Sequence, residues 1–168
     1  MHNILEKKRV VNPFAVNPKE LYRCFGCSPY NENGLRLEFY MEGDTICTDW
    51  MPSKDFAGYV GMLHGGIQAT LMDEIASWYV YAQLGTSGVT KSMQIEYLNP
   101  TRINGTSVHL RASMIEQNGN EAVLHTELHH NNKLCATGRI IYFVFPESIA
   151  RAKYNYPGKE AFFETNEL

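Results

Sequence analysis

The stretch Val60–Glu74, VGMLHGGIQATLMDE, limits what this chain can fold into more than any other. It opens a helix expected from about Gly65 to Gln83, which the two glycines within Leu84–Gly88 stop. At 100° per residue, Ile67, Leu71, Ile75, Trp78 and Ala82 fall within about 80° of one another. A second apolar arc holds Ala69, Met72, Ala76, Tyr79 and Val80. The polar arc holds Thr70, Asp73, Glu74, Ser77 and Tyr81. A helix apolar over more than half its circumference needs cover on two sides. One side is expected to meet the chain's own sheet and the other a partner subunit.

Six alternating stretches surround that helix. Leu35–Met41 and Thr45–Met51 form a hairpin around Glu42-Gly43-Asp44. After the helix come Val89–Leu98, Thr106–Ile115, Glu121–His130 and Leu134–Phe145, with Pro100 and Pro146 closing the first and last. Asn118-Gly119 suits a hairpin with φ > 0 at both central positions, and Asn131-Asn132-Lys133 turns the chain again. One helix among six strands indicates the α+β class, with the helix laid across one curved antiparallel sheet. The 168 residues suit a single domain with a core of about 24–146. Residues 1–20 read as an arm or short lead-in, and 147–168 as a polar tail with a short helix.

The formal net charge of −3 implies no basic face, so no nucleic-acid partner is expected. No apolar run is long enough to span a bilayer, and no apolar stretch near Met1 suggests a signal peptide. A cytoplasmic protein is the expectation. Cys24 and Cys27 form a CxxC, but Cys47 and Cys135 stand alone, so no second pair completes a zinc set. The turn-like SPYNENG after Cys27 is unlike the helix that follows a redox CxxC. The expectation is free thiols and no metal. His125 and His129 share a strand face with Glu127 between them, and read as a solvated sheet surface.

The start of the helix carries chemistry. Gly65 and Gly66 fall in its first turn, where backbone N–H groups lack partners and missing side chains let a ligand approach. The positive end of the helix favours a developing oxyanion there. His64 either contacts the ligand or caps the helix. Asp73 and Glu74 lie at opposite borders of the polar arc, held for a specific contact or simply solvated. Gly65 and Asp73 are eight positions apart, roughly 12 Å along the axis, too far to act on one carbon. They therefore do separate things, or Gly65 of one subunit meets Asp73 of another.

The residues HGGIQATLMDE and CFGCSPYNENGLRLEFY, with the order of strands around one helix, resemble the hotdog-fold acyl-CoA thioesterases. The phenylacetate-pathway group and its mammalian relatives are the most similar, over roughly Cys24 to Phe145. The resemblance implies a long central helix wrapped by a curved antiparallel sheet of about five to six strands. It makes Asp73 the general base or nucleophile, Gly65 the N–H donor to the thioester carbonyl, and His64 its neighbour. Thr90 positions the attacking water. Gly66 and Glu74 adjoin the substrate, and Phe56 and Tyr59 are candidates to line its acyl slot. The loop Pro52–Leu63 holds no Asn, Gln or His, where relatives often carry one, and Phe56 stands where His is frequent. Lys91, Arg102, Arg111, Lys133 and Arg139 are candidates for the coenzyme A phosphates. The resemblance implies no metal or redox cofactor, and a homodimer with its site at the interface, pairing into tetramers. The alternatives are a non-catalytic acyl-CoA sensor, or a hydratase or dehydratase, whose Asp–His helix motif is absent.

Overall fold

A computed structural model describes residues 6–16 and 21–164. The rest of the expected arm and the last four tail residues lie outside them. The elements run β1 (Lys7–Val10), β2 (Phe39–Glu42), β3 (Thr45–Trp50), α1 (Gly65–Tyr79), β4 (Gly88–Tyr97), β5 (Val108–Asn118), β6 (Glu121–His130), β7 (Lys133–Val144) and α2 (Glu147–Tyr154). The helix α1 continues as a π-helical turn, Val80–Leu84. All seven strands join one antiparallel sheet in the order β1-β2-β3-β5-β6-β7-β4. The α+β arrangement is as expected, but the sheet has seven strands rather than five or six. The extra one, β1, is four residues long and opens on the charged Lys7-Lys8-Arg9. Its pairing with β2 is a tertiary fact that no local alternation announces.

Alternation positions the sheet against α1. Val108, Leu110 and Ala112 of β5, Leu124 and Leu128 of β6, and Ala136, Ile140 and Tyr142 of β7 are all buried. The buried face of β5 ends before Met114, where a register shift between Met114 and Glu116 interrupts the ladder and Met114 is exposed. The β6–β7 turn has φ of 52° and 59° at Asn131 and Asn132, the hairpin form with two left-handed residues. The β5–β6 turn differs from expectation. Asn118 pairs with Glu121, so Gly119-Asn120 is the central pair, and only Gly119 has positive φ.

The first predicted strand is shorter than expected for a visible reason. The Leu35 N–H donates to the Phe25 carbonyl at 2.7 Å and the Leu37 N–H to that of Gly26 at 2.9 Å. This segment therefore pairs with the Cys24–Cys27 turn, and Arg36 sits at φ 53°. The buried Trp50 pins it by donating Nε1–H to the Leu35 carbonyl at 2.8 Å. Trp50→Phe loses that bond and is expected to cost ~1–3 kcal/mol, measured by urea denaturation.

Met72, Ala76, Tyr79 and Val80 of the second apolar arc of α1 are buried within the chain, and the first arc is covered at its end by aromatic rings. Trp78 stacks on Phe39 at 4.4 Å and meets Phe162 edge-on at 5.7 Å. Phe162 lies in a 3₁₀ turn, Lys159–Phe162, whose last carbonyl accepts the Val11 N–H at 2.9 Å. The two ends of the described chain thus close over the end of α1. The surface left open is elsewhere. Strand β4 ends the sheet, and it and the residue after it expose Val89, Met93, Tyr97 and Leu98. Among the described residues no helix is long and apolar enough to cross a membrane.

Candidate active site

Asp73 projects from the middle of α1 toward β4 and β7. Thr90 of β4 donates its hydroxyl to Asp73 Oδ1 at 2.7 Å. Tyr142 of β7 donates to the same oxygen at 2.8 Å and lies 3.0 Å from the Asp73 backbone carbonyl. Strands β4 and β7 are neighbours with Thr90 opposite Tyr142, so one ladder register delivers both hydroxyls to one carboxyl oxygen. Asp73 Oδ2 meets no donor among the described residues. Burial, then the Asp73 charge, pushes the Tyr142 hydroxyl above its ordinary range, so it remains a proton donor. Asp73 is thus held by side chains rather than merely solvated.

The resemblance implies roles for both Asp73 and Thr90 at one site, but nothing in the sequence singles out Tyr142. The only hint was a hydroxyl within the otherwise apolar IIYFVF of β7. Tyr142→Phe keeps the ring and removes the donor. It is expected to lower kcat about 10- to 150-fold with KM nearly unchanged, read from initial rates, since a bond to a charged group is worth ~1.5–3 kcal/mol.

Glu74 does not adjoin this group. It leaves the opposite side of α1, where Trp78 Nε1 donates to its Oε1 at 3.2 Å and Cys24 Sγ lies 3.5 Å away. Burial, reinforced by Cys24, lifts its carboxyl to about 7. Its expected substrate role is corrected accordingly. Phe56 is also placed differently. Its ring packs on Trp50 at 5.4 Å, and its carbonyl accepts the His64 N–H at 3.0 Å, so it supports the loop before α1. Tyr59 is 87% exposed and lines no slot within the chain.

The start of α1 resolves the choice for His64. It is the N-cap residue, with Nδ1 accepting the Gly66 N–H at 2.9 Å. Gly66 suits that cap, because a Cβ there would lie 3.1 Å from Nδ1. Gly65 differs. A Cβ would meet the Tyr97 ring at an ordinary 3.6 Å, so nothing among the described residues requires glycine there. Its N–H opens the helix without an intrahelical acceptor, and the His64 cap is spent on Gly66. Tyr97 donates its hydroxyl to the Gly65 carbonyl at 2.7 Å, tying this end of α1 to β4. One chain therefore brings together Asp73, Thr90 and Tyr142, and separately His64, Gly65 and Gly66, two groups about 12 Å apart on one helix.

Comparison with known proteins gives the family and the fold. A profile of the Thioesterase superfamily matches residues 60–136. Acyl-coenzyme A thioesterase 13 of Homo sapiens is 31% identical over 100 residues, covering 59% of this chain and 67% of that protein. The chain belongs to the thioesterase superfamily. Two solved structures show that the hotdog fold of this thioesterase is shared. A phenylacetic acid degradation-related protein from Ralstonia eutropha JMP134 gives a TM-score of 0.61 at 22% identity, over 71% of this chain and 92% of that one. A Streptococcus mutans UA159 protein, bound to acetyl CoA, gives 0.60 at 19% identity, over 66% and 90%. The matched segment of this thioesterase contains His64, Gly65, Asp73 and Thr90. It ends before Tyr142 and begins after Cys24 and Cys27.

Proposed function

We propose that this thioesterase hydrolyses an acyl-CoA to the free acid and coenzyme A, at a site completed by two copies of the chain. The observation that carries the reading is Asp73 itself. Two hydroxyls hold Oδ1, leaving Oδ2 open to receive a proton. Water held by Oδ2 attacks the thioester carbonyl carbon as its proton passes to Asp73. The carbonyl oxygen becomes an oxyanion against the N–H of Gly65 of the partner subunit, at the positive end of that helix. Collapse breaks the carbon–sulfur bond, and the departing thiolate takes up the proton. A thiol of pKa near 8.5 leaves readily, so no strong acid is needed at the leaving group.

Gly65 and Asp73 stand too far apart on one helix to act on one carbon, so a site that uses both needs a second copy, and β4 offers a surface for it. A ten-residue edge strand exposing Val89, Met93 and Tyr97 is an aggregation hazard unless another strand or subunit covers it. Pairing of such dimers gives a tetramer. Lys91 pairs with Glu121, and Arg139 lies 3.8 Å from Glu116. Arg102, Arg111 and Lys133 lack a carboxylate partner among the described residues and are better placed to meet the phosphates of coenzyme A. A reduced, cytoplasmic setting fits four free thiols.

The test is thiol release from a panel of aryl- and fatty-acyl-CoA thioesters. Saturated substrates are expected to release thiol, which a hydratase would not do. Binding of every thioester without thiol release would replace hydrolysis by sensing.

A further inference from the structure

The hydrolytic mechanism leaves one buried cluster unused, on the opposite side of α1 from Asp73. Cys24, Cys27 and Glu74 place two sulfurs and a carboxylate oxygen all within 4.8 Å of one another. We infer that these three residues bind a zinc-class divalent cation, which clamps the CxxC turn to the middle of α1.

The spacing supports this. Cys24 Sγ lies 3.3 Å from Cys27 Sγ and 3.5 Å from Glu74 Oε1. A tetrahedral zinc with bonds of about 2.3 Å to sulfur and 2.0–2.2 Å to oxygen sets sulfur–oxygen edges near 3.5 Å and sulfur–sulfur edges near 3.8 Å. The carboxylate edge already fits, and the sulfur pair needs a few tenths of an ångström of opening. Two sulfurs select a zinc-class ion over calcium or magnesium.

The surroundings are built for the same purpose. The backbone holds the turn in place, the Leu35 N–H donating to the Phe25 carbonyl at 2.7 Å and the Leu37 N–H to the Gly26 carbonyl at 2.9 Å. A Cβ on Gly26 would fall inside the Glu74 side chain, so the glycine lets the turn close directly over the carboxyl. Trp78 Nε1 donates to the same Oε1 that faces Cys24 and fixes the orientation of Glu74, as outer partners do for metal-bound carboxylates. No Lys, Arg or His pairs with Glu74 among the described residues. An acid placed against two thiols with no cationic partner is costly, and a divalent ion supplies the missing charge. Cys24 is only half-buried, which leaves room for water as fourth ligand. The sequence conceals this site because spacing shows the two cysteines alone. The third donor arrives through the fold. The ion's role is structural, since it lies across α1 from Asp73.

The experiment uses reduced, chelator-stripped protein titrated with Co²⁺ and then Zn²⁺. The expected result is a stoichiometric thiolate-to-cobalt charge-transfer band that Zn²⁺ bleaches, with a higher Tm in zinc. Cys27→Ser abolishes the band. Glu74→Gln weakens zinc binding by more than the ~10- to 100-fold that losing an outer partner costs. Glu74→His, which restores a ligand, keeps the band with a shifted spectrum, and far-UV circular dichroism checks that each variant folds. Absence of the band in reduced protein overturns the proposal, as does unchanged affinity in Glu74→Gln. A mass showing Cys24–Cys27 disulfide, with no cobalt uptake after reduction, makes the pair a redox dithiol instead. None of these outcomes depends on acyl-CoA hydrolysis.

Discussion

Asp73→Asn is expected to lower kcat for acyl-CoA hydrolysis by about 10²- to 10⁴-fold, the usual contribution of a positioned general base. The substitution changes the chemistry and almost nothing else. Asparagine has the shape of aspartate, and its side-chain oxygen still accepts from Thr90 and Tyr142, which reach Oδ1 at 2.7 and 2.8 Å. An amide group replaces Oδ2, so a proton can no longer be taken from water. The fold is expected to survive, because Asp73 makes no ion pair among the described residues and its two donors keep their acceptor. KM should change little, since the carboxylate contacts water rather than the acyl-CoA. Initial rates on the best thioester of the panel, beside a thermal melt, check this. A variant that keeps native kcat would remove Asp73 from the reaction and return the site to simple binding.

The contrast between Asp73 and Glu74 shows what was legible in the sequence and what was not. Helical periodicity put both acids at the border of the polar arc, and a border position does not say which way a side chain leans. The structure sends Asp73 to Thr90 and Tyr142, and Glu74 under Trp78 toward Cys24. The helix itself was legible because its pattern is local and long, and its start coincides with the sequence reading at Gly65. Thr90 was legible only through resemblance. Tyr142 was not, because its place depends on β4 crossing to the far edge beside β7, a register set by the whole sheet. The same holds for β1, whose four residues carry three charges and gain strand form only from pairing with β2. The second apolar side of α1 likewise finds cover that local pattern does not announce, with Met72, Ala76, Tyr79 and Val80 all buried within the chain. Aromatic residues from both ends of the chain, Phe14 and Phe162, reach the end of that helix and fill the space. Local pattern thus located the elements, and long-range contacts decided which residues meet.

Gly65→Ala is expected to lower activity about 100-fold while leaving stability equal or slightly higher. Alanine is the better helix residue, and its Cβ would sit at an ordinary 3.6 Å from Tyr97. The N–H remains, but the methyl group displaces the carbonyl approaching it, and small misplacements of a reacting group cost about that factor. Mixing this variant with Asp73→Asn then tests the shared site. If Gly65 of one copy serves Asp73 of the other, each mixed dimer holds one site with both lesions and one with neither. Random pairing makes half the dimers mixed, so about a quarter of native activity returns from two nearly inactive parents, as two-fold symmetry requires. The check is specific activity after co-refolding equal amounts, with each variant refolded alone as control. No recovery, with mixed dimers shown by a tag on one parent, would place both groups in one chain's site. That outcome conflicts with a helix on which they stand about 12 Å apart.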